Sequence, residues 1–253
     1  MAMSLRVAHL YPKMMNIYGD RGNILCLVRR CQRRGIKVDV VDLGLGEPLI
    51  SGRYDLLFMG GAQDQEQLQV AEDLVQTKGQ ALRQEVEGGC VLLAVCGAYQ
   101  LMGRYYRPAE GGELPGVGLF DAWTEYPETA SRRLIGNVVA EWQDSTLVGF
   151  ENHGGRTYLG RGAKPLARVL TGHGNNGADR WEGAVYRGAF GTYLHGSVLP
   201  KNPRFADHLI AMALQRRHGE VELEPLDDIV EHRAHKAALQ RGARGGFLRR
   251  GNR

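Results

Sequence analysis

The run Cys90–Val95 (CVLLAV) is apolar at every position and leads without a break into Cys96, Gly97 and Ala98, after which a helical segment begins near Tyr99. A strand with no polar face has to be covered on both sides, as in the interior of a parallel sheet with helices above and below it. Small residues directly after such a strand let the chain reverse sharply into a helix. The side chain at that junction is lifted clear of the sheet, beside backbone N–H groups that have no helical partner. Here that side chain is a cysteine thiol.

The rest of the chain reads in the same alternating manner. Leu5–Leu10 is a first strand, and Tyr11–Asp20 is a long loop without clean periodicity, the kind of segment in which function often resides. From Arg21 to Arg34 apolar residues recur at helical spacing, and Gly35 stops the helix; Lys37–Leu43 is a second strand. Tyr54–Met59 is a short buried strand closed by Gly60 and Gly61, followed by helical segments over about Gln65–Val86 with a break near Gly79. Between Gly116 and Tyr193 short strands such as Asn137–Trp142 and Leu166–Leu170 alternate with glycine-rich turns, a pattern that suits antiparallel or irregular pairing. Ala189–Leu194 returns to an apolar strand, Pro203–His218 is a closing helix, and Leu226–Gln240 is an amphipathic helix with acids at its start and bases at its end. The expectation is an α/β fold: a mostly parallel sheet flanked by helices over residues 1–219. Residues 220–253 would add a C-terminal helix and a basic tail, GARGGFLRRGNR, that is disordered.

Charge is distributed unevenly. From Arg233 to the end there are seven Arg or Lys and no acid; without them residues 1–232 carry 25 bases against 28 acids, a net of −3. A slightly acidic body does not present a nucleic-acid-binding face. No apolar run reaches the roughly 18 to 20 residues of a membrane span, so a cytosolic protein is expected. Cys26, Cys31, Cys90 and Cys96 show no paired metal-ligand spacing, and the first three read as core residues.

Cys96 has the placement of a nucleophile. The start of a helix favours the thiolate, and the free N–H groups there can hold an oxyanion. Among the eight histidines, His195 ends the apolar strand AFGTYL at the sheet edge where Cys96 also emerges, and is the favoured proton carrier. His153, before a glycine pair in the irregular region, is its rival; His208 and His218 read as surface residues of a helix. The pattern GHGNNG (172–177) precedes a strand and not a helix, so it reads as a hairpin or loop, not a dinucleotide site. No phosphate-binding loop of the G-x-x-x-x-G-K-[ST] type occurs.

The residues VCGAYQLMG (95–103) resemble the nucleophile elbow of class I glutamine amidotransferases, in particular the cobyric-acid-synthase-like branch. The resemblance implies that Cys96 is the nucleophile, that Gln100 lies one helical turn on near the substrate, and that His195 within GTYLHG (191–196) is the base. It further implies that the N–H groups of Gly61 and Gly97 form the oxyanion hole. Where the family usually has glycine this chain has Ala98, which fits only with a negative φ. Where many class I enzymes have a glutamate two residues after the histidine it has Ser197, which implies a Cys-His dyad or a carboxylate from elsewhere.

Three further segments, IYGDRGN (17–23), GFENHGGRTYL (149–159) and GTYLHGSVLPKN (191–202), are similar to the GatD family of glutaminase subunits. That similarity implies L-glutamine as substrate and a MurT-like Mur ligase as partner, with lipid-linked D-glutamate amidated to D-isoglutamine. It also implies no cofactor in this chain, ATP and magnesium being held by the partner. In RLIGN (133–137) Arg133 matches the family's substrate-binding arginine, with Arg132 as an alternative. Other readings stay open: ammonia delivered to a different acceptor such as a corrinoid, another cysteine hydrolase, or an idle regulatory subunit whose Arg-rich tail contacts nucleic acid, anionic lipid or a partner.

Overall fold

Every residue of Leu56–Met59 and Val91–Val95 is buried, as an unbroken apolar run requires. The computed structural model describes residues 3–127 and 132–250. Its strands in chain order are β1 (Ser4–Leu10), β2 (Lys37–Leu43), β3 (Leu56–Met59), β4 (Val91–Val95), β5 (Tyr105–Arg107), β6 (Leu114–Pro115) and β7 (Ala122–Glu125). They continue as β8 (Leu134–Trp142), β9 (Ser145–His153), β10 (Arg156–Leu159), β11 (Ala167–Thr171), β12 (Trp181–Glu182), β13 (Ala184–Tyr186) and β14 (Ala189–Thr192). The helices are α1 (Arg21–Gln32), α2 (Asp64–Asp73), α3 (Gly79–Glu87), α4 (Gly97–Met102), α5 (Pro203–His218) and α6 (Ile229–Arg250).

The central sheet is six-stranded, in the order β13-β14-β4-β3-β1-β2. All its pairs are parallel except the edge hairpin β13–β14. Two four-stranded sheets, β10-β7-β5-β6 and β12-β11-β8-β9, make up the middle of the chain. Most of their pairs are antiparallel, as the glycine-rich turns predict, though β5 and β7 run parallel. The break expected near Gly79 is a single π-helical turn, Leu74–Lys78, between α2 and α3. Gly172–Gly177 is a loop whose His173 and Gly174 N–H groups both donate to the buried Glu151 carboxylate, at 2.8 Å each. No described helix is long and apolar enough to cross a membrane.

The C-terminal expectation needs correction. The last helix does not stop at Gln240 but continues to Arg250, through glycines read as a disordered tail. Packing explains why Gly242 tolerates a helix: it is buried, and a Cβ there would sit 2.6 Å from Val139 Cγ2, so only glycine allows α6 to approach β8 this closely. Two turns earlier His235 anchors the helix, with Nδ1 at 2.7 Å from Lys201 O and Nε2 at 2.9 Å from Thr146 Oγ1. Residues 251–253 lie outside the described residues. His208 is a second correction: it is half-buried, edge-on to Trp142 and Phe190, where burial lowers its pKa.

The segment before α6 is clamped to α1 by charge. Arg30, 3% exposed, forks onto Asp207 (2.7 Å twice) and onto Asp228 (2.7 and 2.8 Å), while Arg34 takes the same Asp207 at 2.8 and 3.0 Å. Fixed bidentate geometry makes these pairs strong, and removing the buried guanidinium would strand the Asp228 carboxylate while Asp207 keeps only Arg34. Arg30→Met should therefore destabilise the fold by about 3 kcal/mol in urea denaturation. Arg204→Met, which breaks the exposed pair with Asp144, should barely move the midpoint.

Candidate functional site

Three strands of the central sheet end at the same edge. β3 pairs with β4 through Met59↔Ala94 and β14 with β4 through Thr192↔Val95, so the residues that follow each strand gather at one place. After β3 come Gly60 and Gly61, after β4 Cys96, and after β14 the segment Tyr193–His195. His195 stands past the last paired residue of β14, held by a two-way bridge to Phe150 of β9, with His195 N donating to Phe150 O at 2.7 Å. The antiparallel part of the chain thereby reaches the site.

Cys96 takes φ 53° and ψ −106°, a left-handed conformation that costs a residue with a Cβ about 1–3 kcal/mol and that clusters at functional sites. Its own N–H donates to Thr192 O at 2.8 Å, which ties the elbow to β14. Ala98 is not among the positive-φ residues, so alanine stands there unstrained. The other cysteines behave as core: burial pushes the thiols of Cys26, Cys31 and Cys90 up to about 12.

Gly61 lies between the two expected catalytic groups. A Cβ on it would come within 2.9 Å of His195 Cε1 and 3.2 Å of Cys96 Cβ. Its N–H, however, donates to Asp20 Oδ2 at 2.6 Å. The reading of Gly61 as an oxyanion donor is therefore corrected, because that hydrogen is already used. The backbone nitrogen of Ala62 lies beside the elbow: a Cβ on Gly97 would be 3.1 Å from it. Among the described residues neither Gly97 nor Ala62 donates its N–H to another group.

Asp20 is the residue that the sequence reasoning missed. It is fully buried, and its Oδ1 lies 3.7 Å from His195 Nδ1. That is longer than a hydrogen bond, so the carboxylate acts on the ring through its charge. Burial of the ring works against the imidazolium, yet the charges of Cys96 and Asp20 outweigh it and push the His195 pKa up to about 10. A signal was present: an acid in an aperiodic loop immediately before α1. Such an acid reads as a helix cap, but here the side chain caps nothing and turns inward. Ser197, in the place where many related enzymes have glutamate, donates its hydroxyl to Gly19 O at 2.7 Å and so fastens the Asp20 loop to the His195 segment.

A cavity of about 480 Å³ opens beside Cys96 and is also lined by Gln100, Arg133, His153, Asp64 and Tyr106. Arg133 is on this lining and Arg132 is not. Arg133 is oriented by Asn152, with Nε at 3.0 Å from Oδ1 and Nη2 at 3.1 Å from the carbonyl oxygen. Asn152 in turn donates to Tyr18 Oη at 2.6 Å, and the Tyr18 ring meets His195 edge-on at 5.0 Å. Gln100 is buried and donates to Tyr193 Oη at 3.2 Å, so its amide nitrogen braces the wall. His153 belongs to that wall as well: it stacks on Tyr193 with centroids 3.6 Å apart, Nδ1 lies 2.8 Å from Gly155 O, and burial lowers its pKa.

Comparison with known proteins agrees with this arrangement. Residues 6–203 match the family described as the CobB/CobQ-like glutamine amidotransferase domain. The subunit GatD of the glutamine-hydrolysing lipid II isoglutaminyl synthase from Staphylococcus aureus (strain N315) is 38% identical over 241 residues, covering 95% of this chain and 97% of that protein. The protein of the same name from Streptococcus pneumoniae (strain ATCC BAA-255 / R6) is 38% identical over 229 residues, covering 89% and 87% respectively. Among solved structures, a glutamine amidotransferase superposes with a TM-score of 0.56 at 16% identity over 81% of this chain and 98% of its own, a likeness of fold alone. With its elbow, its histidine and its pocket in one matched segment, the chain belongs to the CobB/CobQ-like glutamine amidotransferase family.

Proposed function

We propose that this chain is the glutaminase subunit of a lipid II isoglutaminyl synthase: it hydrolyses L-glutamine and passes the ammonia to a MurT-like ligase that amidates the stem-peptide D-glutamate. The observation that carries the glutaminase step is Cys96 on a strained strand-to-helix elbow, with His195 and Asp20 buried behind it and the cavity in front. Near-full-length similarity to the two GatD subunits supports the acceptor.

The proposed chemistry follows from the placement of charge. The Cys96 thiolate attacks the side-chain amide carbon of glutamine, and the N–H groups of Gly97 and Ala62 receive the oxyanion. The His195 imidazolium, kept charged by Cys96 and Asp20, gives its proton to the departing nitrogen, and the C–N bond breaks to leave ammonia and a glutamyl thioester. Neutral His195 then takes a proton from water as the water attacks the thioester. Glutamate leaves and the thiolate–imidazolium pair returns. Arg133 holds the glutamine α-carboxylate, and Gln100 shapes the wall beside it through Tyr193. Asp20 is a positioning residue: it touches His195 and not the substrate. Activating a carboxylate requires ATP, and with no phosphate-binding loop in the chain that step, with magnesium, falls to the ligase.

Cys96→Ala should abolish release of glutamate from glutamine while leaving the circular dichroism spectrum unchanged; continued release at the wild-type rate would remove Cys96 from the reaction. His195→Ala should lose at least about 100-fold, and His153→Ala less.

Asp20→Asn should lower the rate at least about tenfold, the equivalent of one pKa unit of lost charge interaction. The sign of its pH effect is set by the raised pKa: the imidazolium persists up to about pH 10 in the wild type, so removing a charge that raises it shifts the alkaline limb of the pH–rate profile downwards. An unmoved alkaline limb would assign Asp20 a purely structural role.

Mixed with a MurT-like ligase, ATP, magnesium, glutamine and lipid II, the chain should yield a stem peptide lighter by the acid-to-amide difference in mass spectrometry. No mass change with an active ligase would remove lipid II as the acceptor and leave the glutaminase intact.

A further inference from the structure

Among the described residues the cavity lining carries one fixed cation and one acidic side chain besides the catalytic thiol. Arg133 is the cation, and the acid is Asp64, the first residue of α2. Asp64 stands at the start of α2, where unsatisfied backbone N–H groups favour an acidic side chain, and it is exposed on the cavity lining. Its Oδ1 accepts the hydroxyl of Tyr106 at 2.9 Å, which aims the group, while among the described residues Asp64 makes no ion pair. Tyr106 is 2% exposed and lines the same cavity, and burial followed by the Asp64 charge raises its pKa, with Cys96 adding to the effect. The phenol thus stands within the fields of both the carboxylate and the nucleophile.

Glutamine is a zwitterion, with its two charges on the carbon at the far end of the side chain from the amide that Cys96 attacks. A pocket with a guanidinium alone would accept any amide bearing a carboxylate. A guanidinium and a carboxyl group lining one cavity with the thiol match an α-amino acid. We propose that Asp64 binds the α-ammonium group of glutamine opposite Arg133, and that this pair makes the site selective for an amino acid over a simple amide acid. This rests on the glutaminase reading and adds to it a residue that sets substrate specificity.

The test compares L-glutamine with glutaramate, the same molecule without its α-amino group. The wild type should prefer glutamine. Asp64→Asn should lower kcat/KM for glutamine about 10- to 100-fold, as expected for loss of a charge-assisted hydrogen bond, mainly through KM. The same variant should leave kcat/KM for glutaramate within about twofold of wild type, because that substrate never used the carboxylate. Asp64→Glu should recover part of the preference for glutamine. Since Asp64 is exposed, folding is not at stake. Equal losses on both substrates, no loss on either, or a wild type indifferent to the amino group would each overturn the assignment of Asp64. A wild type that hydrolyses neither compound, with or without its ligase, would instead overturn the glutaminase reading and this inference with it.

Discussion

The site depends on the parallel pairing of β4 with β3 on one side and β14 on the other. Parallel strands deliver their C-terminal ends to the same edge of a sheet, and the register here aligns those ends to within a residue. Each chemical group then comes from a different connection: Gly61 and Ala62 after one strand, Cys96 after the next, His195 after the third, and Asp20 from the loop beyond β1. A slip of one residue in either pairing would turn every side chain of a strand to the opposite face and separate the thiol from the imidazole. The hydrogen-bonded pairing of β4 between β3 and β14 in the covered interior of the sheet holds that register, so the core of the sheet and the catalytic geometry are a single requirement.

Much of this could be read from the chain itself because the informative signals are local. An apolar run ending in Cys-Gly-Ala specifies strand, turn and helix within a dozen residues, and the strand Lys37–Leu43 and the helix Pro203–His218 lie where periodicity places them. What escaped was long-range. Asp20 meets His195 only because β1 and β14 belong to one sheet, and no spacing along the sequence encodes that contact. The N–H of Gly61 escaped for the same reason, since the group that uses it lies on a distant loop. The final helix was misjudged because glycine lowers helix propensity by about 1 kcal/mol. Composition alone does not reveal that Gly242 is needed against Val139.

Electrostatically the cavity is divided by depth. Next to the buried Asp20 carboxylate lies a ring that remains an imidazolium despite its desolvation, a balance that water-exposed charges would not achieve because solvent screens them. At the mouth, Arg133 and Asp64 are exposed and keep the solvent contact that lets a charged substrate exchange. Between the two zones the Tyr193–Thr157–Thr124 hydroxyl chain, with links of 2.6 and 2.7 Å, gives the wall a hydrogen-bonded backing with no net charge of its own. Discrimination at the entrance and proton movement at the floor are thus carried by separate groups.

The contact between Ser197 and the loop before α1 has a consequence for how the acid of this site is recognised from sequence. A Cβ on Gly22 would lie 2.1 Å from Ser197 Oγ, and Ser197 itself takes φ 50°, so the two segments are already as close as a serine and a glycine permit. A glutamate two residues after the histidine would need the space that the Asp20 loop occupies. Within this frame the imidazole meets the carboxylate of the loop before α1, and position 197 serves to fasten that loop. A search keyed to a glutamate two residues after the histidine would class this site as defective when the charge has only changed its address.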